Sequence, residues 1–432
     1  MANEIRDILP ALVGVTRSGG LVPVNPLTRQ EQTSTALATR DAATRELRAL
    51  PCIEKFQNLA QWTVSAAEPA NANVTQAAGY SAYGAANLRF VSAAVASKNA
   101  FATQDQTINL NGSGGFWLLW NQRYKQTSAQ VGLTVYLSHS TALGSGVGRV
   151  SFATPLSVQG FGQQCAWVAN GDFSTLDGAP NFANDWLSWR FRVDSTATEP
   201  HDFELDAVLT KGVRPKILLT FDDGFATSYS AGFVEAQKRE IPLTHYLIGS
   251  LLGAATYVTR AQAVEMAAAG DYIGVHGANV WNSATEVTIR ADTAALSGLT
   301  DGQHGAWPEG NFNAGASCAA TIEAAKAAGL LSVRSAGGNA CFLPGCTEWG
   351  ALPSYPLNNS LSLVNAKAAV DRAIASGGTA VFYGHKIDSA ADTLTWTASD
   401  WTALLDYIAQ KRHNNLCDVV TIKELYDTAA RP

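Results

Sequence analysis

Charge is scarce in this chain. Of 432 residues, 15% are Asp, Glu, Lys or Arg, against ~25% in an average globular protein. The Lys and Arg residues form no cluster and the formal net charge is -6, which argues against nucleic acid or an anionic membrane as partner. A neutral polymer fits better. No apolar run approaches the ~20 residues that cross a bilayer, so no membrane span is expected. The start does not read as an export signal, because Glu4, Arg6 and Asp7 mix charge signs and Pro10 interrupts the short apolar stretch 8–15. The six cysteines lack C-x-x-C spacing, which removes the common zinc-binding pattern. Only Cys341 and Cys346 stand close enough to suggest a short disulfide loop, while Cys52, Cys165, Cys318 and Cys417 read as scattered buried thiols.

What is present is a chain of three textures, and its length implies more than one core. Residues 1–50 begin without periodicity and continue, over 28–50, as a helix rich in Ala, Thr, Arg and Glu, an arm or stem. Residues 51–211 alternate apolar and polar positions in short segments between turn residues, which predicts a β-sandwich of jelly-roll-like kind. The stretch 187–193 alternates strictly, and Phe203, Leu205, Ala207 and Leu209 repeat the pattern opposite Glu204 and Asp206. Trp62, Phe116, Trp117, Trp120, Tyr136, Trp167, Trp186 and Trp189 all fall here. Exposed, they would stack on sugar rings, but area burial favours a core role. Gly144, Gly146 and Gly148 have no neighbouring Lys or strand-helix context and read as a loop.

Residues 212–432 alternate apolar strands with Ala-rich helices, the rhythm of a parallel sheet and here of a distorted (β/α) barrel. Strands are expected at 217–220, 243–248, 272–276, 330–333, 379–383 and 418–421. Helices are expected between a Thr259 cap and Gly270, ahead of Gly329, and from 399 towards 413. Reactive groups of such barrels gather at the carboxyl ends of strands, where Asp222, Asp223, His276, Trp307 and His385 all fall.

The densest chemistry lies in Thr220-Phe221-Asp222-Asp223-Gly224, directly after the apolar run 217–219. Adjacent acids repel, so a cation most easily keeps one ionised while the other stays free to take a proton. Asp-Asp-Gly is also a common turn formula, and the partners decide between the readings. The two cannot be a glycosidase pair, since neighbours on one turn cannot flank a sugar ring at ~5 to 9 Å.

Those partners appear in an order that resembles the polysaccharide deacetylases, carbohydrate esterase family four. T-F-D-D-G comes first. Gly270-Asp271-Tyr272-Ile273-Gly274-Val275-His276 resembles the segment that delivers the family's metal-binding histidine. Ala306-Trp307-Pro308-Glu309-Gly310 is similar to an aromatic-Pro-x-Gly motif of one branch, and Phe382-Tyr383-Gly384-His385 resembles the last motif. The resemblance implies a divalent cation, zinc by preference, held partly by Asp223 and His276. It implies Asp222 as base, His385 as acid, and an oxyanion donor among the backbone N–H groups near Trp307. The aromatic-Pro motif here lacks the arginine that many members place there to brace the base, and Arg334, after the expected strand 330–333, would reach in instead.

One departure is plain. The family usually presents H-x-x-x-H, and the position four after His276 is Val280, which binds no cation. Asn279, Asn282, His304 or water would have to substitute, or the chain is a metal-free descendant. Bland readings stand beside the sharp ones: His276 and His385 as satisfied strand-end histidines, and Trp307 before Pro308 as packing or as a substrate contact. His139, His201, His245 and His413 lie outside any motif and read as structural.

The sandwich ahead of T-F-D-D-G also resembles deacetylase proteins of bacteriophage tails. That analogy implies a virion-tail enzyme attached through residues 1–50, trimeric or otherwise homo-oligomeric, acting on an acetylated bacterial surface polysaccharide outside cells. A secreted or cytoplasmic bacterial enzyme is the fallback. A glycan-binding adhesin, or a structural tail protein that keeps the deacetylase shape, is the alternative from another class.

Overall fold

The structure, a computed structural model, describes residues 51–430 except 57, 67–71, 79–85, 93–98, 123–132, 144–148, 153–161, 195–200, 213, 282–285, 313–316, 338–340 and 389–391. The predicted arm and helix of residues 1–50, the Gly144 to Gly148 string and Asn282 lie outside the described residues.

Among the described residues, twelve strands precede the acid pair. In chain order they are β1 (Cys52–Glu54), β2 (Thr63–Ala66), β3 (Ala72–Ala78), β4 (Ala86–Ser92), β5 (Asn99–Ile108), β6 (Gly115–Gln122), β7 (Leu133–Ser138), β8 (Arg149–Phe152), β9 (Gly162–Ala169), β10 (Phe173–Asp177), β11 (Trp186–Asp194) and β12 (His201–Leu209). They form two six-stranded sheets, β3-β4-β12-β6-β9 with β1 on β12, and β10-β8-β7-β11-β5-β2. Alternation does the sorting: on β11 Trp189, Phe191 and Val193 enter the core while Arg190 and Arg192 are half-buried. Phe56, Trp62, Trp189 and Phe191 pack there with ring centroids between 5.2 and 6.3 Å. The tryptophans named above and Phe116 are buried, so their stacking surface is spent on packing; Tyr136 is half-buried.

The opposite pleat of β6, β9 and β12 meets the second half of the chain. Trp117, Leu119, Cys165, Trp167, Ala207 and Leu209 belong to the same apolar cluster as Ile217, Phe342 and Ala373. The Trp117 indole donates to Ser376 O at 3.0 Å and lies against Gly378, where an added Cβ would come 2.5 Å from the ring. Leu343 N–H donates to Cys165 Sγ at 3.1 Å, and Arg372 pairs with Asp172 at 2.8 Å. Sandwich and second half therefore share one apolar seam with polar contacts along it. Cys341 lies on this seam as a free, buried thiol 3.5 Å from Ser376 Oγ, and the side chain of Cys346, the partner suggested by spacing, lies outside the described residues.

The second half continues with β13 (Lys216–Asp223), β14 (Thr244–Ile248), β15 (Tyr272–His276), β16 (His304–Ala306), β17 (Ser332–Arg334), β18 (Cys341–Phe342), β19 (Tyr355–Leu357), β20 (Thr379–Gly384), β21 (Lys386–Asp388), β22 (Thr395–Thr397) and β23 (Asp418–Val419). One nine-stranded sheet runs β17-β16-β15-β14-β13-β20-β18, with β19 on β20 and β23 on β13. Its pairings are parallel except β18 on β20. It curls into a half-barrel between helices. At the free edge of β17, Ser335 N–H donates to Leu352 O at 2.7 Å and Leu352 N–H to Val333 O at 3.0 Å, tying that edge to the segment entering β19. Sequence reading missed β16, because His304-Gly305-Ala306 contains no apolar run to betray a strand. The helix Arg260–Ala268 starts at the expected Thr259, whose hydroxyl and Gln262 form a capping box. No helix among the described residues is long and apolar enough to cross a membrane.

Candidate active site

The acid pair closes β13, and a backbone irregularity there matters. Successive strand side chains normally face opposite sides of a sheet. Asp223 takes a left-handed conformation, φ 66°, and Gly224 follows at φ 82°, which breaks the alternation and lets both carboxylates serve one place. Parallel register brings the rest: Asp222 lies beside Tyr246, His276 beside Ala306, and Ala306 beside Arg334. The ends of five neighbouring strands, β13 to β17, thus border one place.

His276 is fixed first. Its Nδ1 lies 2.9 Å from Ala306 O, and since a carbonyl only accepts, Nδ1 carries the proton. Nε2 then faces Asp223 Oδ1 at 3.2 Å. A neutral imidazole would set a lone pair against a carboxylate, so the pair calls for a proton or a cation between them. Burial pulls the His276 pKa down, but the Asp223 hydrogen bond and the charges of Asp222 and Asp223 outweigh it and leave the group above its ordinary value. Burial pushes Asp223 up, and the His276 hydrogen bond with the charges of His276, His385 and Arg334 more than offsets it. A bonded Nδ1–H behind an outward Nε2 is also how metal-ligating histidines are held.

These two donors fit half of a divalent-cation site. Among the described residues no group of three or more His, Cys, Asp or Glu could hold a metal. Of the substitutes for the ligand missing at Val280, His304 is excluded by its position: it opens β16, its Nδ1 is 2.8 Å from Ser332 Oγ, and its ring meets Tyr272 and Tyr426 edge-on at 5.3 Å each. It belongs to the floor of the curled sheet, at the opposite end of the strands from the acid pair. Asn279 is exposed.

The other half of the cluster surrounds Asp222, which is 3% exposed. Arg334 Nη2 donates to Asp222 Oδ2, so the arginine singled out in the sequence does lie against the predicted base. His385 Nε2 is 3.9 Å from the same oxygen. Burial holds the His385 pKa below its ordinary value, and the attraction of Asp222 and Asp223 offsets only part of that. Asp222 Oδ1 is buried without a hydrogen-bond partner, which leaves one carboxylate oxygen uncommitted.

Trp307 is committed to packing. Its side chain is fully buried against Trp281 and Phe312, its indole donates to Gly350 O at 2.7 Å, and its backbone N–H donates to Arg334 O at 2.9 Å. Both of its donors are engaged within the fold, so it packs the wall of the site. Pro308 has no N–H, and Glu309 next in line takes a left-handed φ of 58°.

Sequence reasoning overlooked the rim. Phe225 and Tyr257, both half-buried, stack with centroids 5.0 Å apart. Two backbone bonds of 2.8 Å, Ala226 N–H to Thr256 O and Val258 N–H to Gly224 O, tie the two segments together. Lys386, the residue after His385, sets its Nζ 4.7 Å from the Phe225 centroid. The aromatic directly after Asp-Asp-Gly was the available signal.

Residues 210–297 match the family model described as polysaccharide deacetylase. No curated protein matches the chain in sequence. Solved structures similar to it include the Xyl-CE4 domain of a multidomain xylanase from the hindgut metagenome of Trinervitermes trinervoides. That likeness has 15% identity, covers 51% of this chain and 93% of that one, and has a TM-score of 0.33. A family 4 acetyl xylan esterase from Clostridium thermocellum, in complex with a cobalt ion, has 16% identity, covers 50% and 93%, and has a TM-score of 0.32. A family 11 carbohydrate-binding module from Clostridium thermocellum has 11% identity, covers 38% and 95%, and has a TM-score of 0.28. Likenesses of this strength transfer no substrate or mechanism. The acid pair and His276 fall inside the matched residues, and it is over 210–297 that the chain carries the polysaccharide deacetylase match.

Proposed function

We propose that this protein hydrolyses acetyl groups, N- or O-linked, from a bacterial surface polysaccharide, with Asp222 as base and His385 as acid. A single observation carries the reading: Asp222, Asp223, His276, Arg334 and His385, spread over 164 positions of sequence, meet within hydrogen-bond or near-contact distance at one end of the sheet. Asp223 and His276 would hold a divalent cation, zinc by preference, which when bound polarises the acetyl carbonyl and acidifies water. Arg334 pins one oxygen of Asp222, and the uncommitted Oδ1 takes the proton of the attacking water. The water oxygen bonds to the acyl carbon, the C–N or C–O bond breaks, and His385 gives its proton to the departing amine or alcohol. Acetate leaves, and solvent resets both groups. With the Trp307 N–H engaged and Pro308 lacking one, the Glu309 N–H is our candidate oxyanion donor. The Phe225–Tyr257 pair and Lys386 form the wall along which the polymer lies.

We further read the two-sheet half as a jelly-roll-like module and the curled sheet as a distorted barrel. Residues 1–50 would attach this enzyme to a virion tail, as a homo-oligomer acting outside the host cell. The test is acetate release from acetylated polysaccharide with and without chelator, beside Asp222→Asn. Release that Asp222→Asn abolishes while polymer binding persists supports the proposal. The alternative is a glycan-binding adhesin, favoured by the missing ligand at Val280; it expects binding with no acetate from the wild type under any metal. A structural tail protein expects neither.

A further inference from the structure

We propose that Tyr383 is a positioning residue that holds both halves of the acid–base pair on one ring. The inference rests on the function proposed above, but it starts from an oddity of Arg334. This guanidinium is 1% exposed, donates from Nη2 to Asp222, and has no hydrogen-bond partner for Nε or Nη1. A buried cation with most of its donors unmet is costly unless something else stabilises it. What faces it is aromatic: its Cζ lies 4.4 Å from the Tyr383 ring centroid and 5.8 Å from that of Tyr246. A desolvated guanidinium over a ring face is attracted by the ring quadrupole without needing its N–H groups. The plane of the arginine, and with it the oxygen of Asp222 that it grips, is therefore set by the ring.

The same ring serves the acid. His385 meets Tyr383 edge to face, centroids 5.9 Å apart and planes at 74°. β20 pairs Tyr383 with Thr220, two residues before Asp222, so strand register puts the tyrosine on the same pleat as the base. One half-buried ring thus spans from the brace of Asp222 to His385. Its phenol makes no part of this argument; the face and the edge do.

The experiment compares Tyr383→Phe, which keeps the ring, with Tyr383→Leu, which removes it. Tyr383→Phe is expected to hold kcat within about twofold, and Tyr383→Leu to lower kcat roughly 10- to 30-fold with KM nearly unchanged, since a desolvated cation–π contact is lost. A second readout does not need turnover: the side-chain Nε–H of Arg334, identified in heteronuclear NMR by its absence in Arg334→Lys. It should exchange slowly with solvent in the wild type and Tyr383→Phe, and fast in Tyr383→Leu. If Tyr383→Leu unfolds, Tyr383→Met makes the same comparison. Equal losses in the Phe and Leu variants, or slow exchange retained in the Leu variant, overturn the proposal. Slow exchange lost as expected in a protein that releases no acetate would keep the positioning role and defeat the deacetylase reading instead.

Discussion

Acidification probes the floor of the curled sheet through one residue. His304 is fully buried, and burial pushes its pKa down to about 3, with Asp301 opposing and Lys423 adding to the shift. Ser332, Tyr272 and Tyr426 also face it, and its Nε2 has no hydrogen-bond partner. The unfolded chain would hold the same imidazole near ~6.5. Between those values the unfolded state binds the extra proton, so stability is intact above about 6.5 and drains away as the pH falls towards 3. From pH 7 to pH 5 the linkage amounts to about 2 kcal/mol, and by pH 4 to about 3 kcal/mol. His304→Asn keeps a polar atom near Ser332 and removes the titration. Urea unfolding at pH 7 and pH 5 should show the wild type losing about 2 kcal/mol more than the variant, the carboxylates common to both cancelling in the comparison. Equal losses in the two proteins, or a larger loss in the variant, would show that His304 is not held neutral by burial.

Three further outcomes follow from the geometry. Val280→His should tighten zinc binding at least roughly tenfold in a chelator competition, because it supplies an imidazole where the chain has none; unchanged affinity would place position 280 outside the cation's reach. Phe225→Ala and Tyr257→Ala should lower kcat/KM on acetylated polymer by roughly tenfold while sparing a small acetyl ester, since only the polymer spans the rim; equal losses on both substrates would deny the pair a role in polymer binding. Trp117→Ala should cost about 3 to 5 kcal/mol, and sandwich and half-barrel should still lose structure in a single urea transition; two separated transitions would mean that the shared seam does not couple them.

Much of the site could be read before any coordinates. An apolar run that ends in Thr-Phe-Asp-Asp-Gly states both a buried strand and its turn, and the ends of β15 and β20 carry His276 and His385 where the strand pattern stopped. Local backbone preference and burial periodicity act over a few residues, so short windows of sequence contain them. The alternation along β11 and β12 was legible for the same reason, and so was the Thr259 cap.

Other features depended on distance in the chain. Arg334 meets Asp222 across 112 positions because the sheet curls and its register carries β17 round to face β13. Nothing in the window around either residue encodes that curl. The left-handed turn at Asp223, the burial of Trp307 with both its donors spent, and the placement of His304 in the floor follow from packing in the same way. So does the fate of Trp117 and Trp167, which look like any other strand aromatics until the second half of the chain covers them. Sequence alone determined which groups stand at the ends of which strands, since that is a matter of local conformation. Which of them touch was decided by tertiary structure, because contact requires a register and curvature set by the whole core at once.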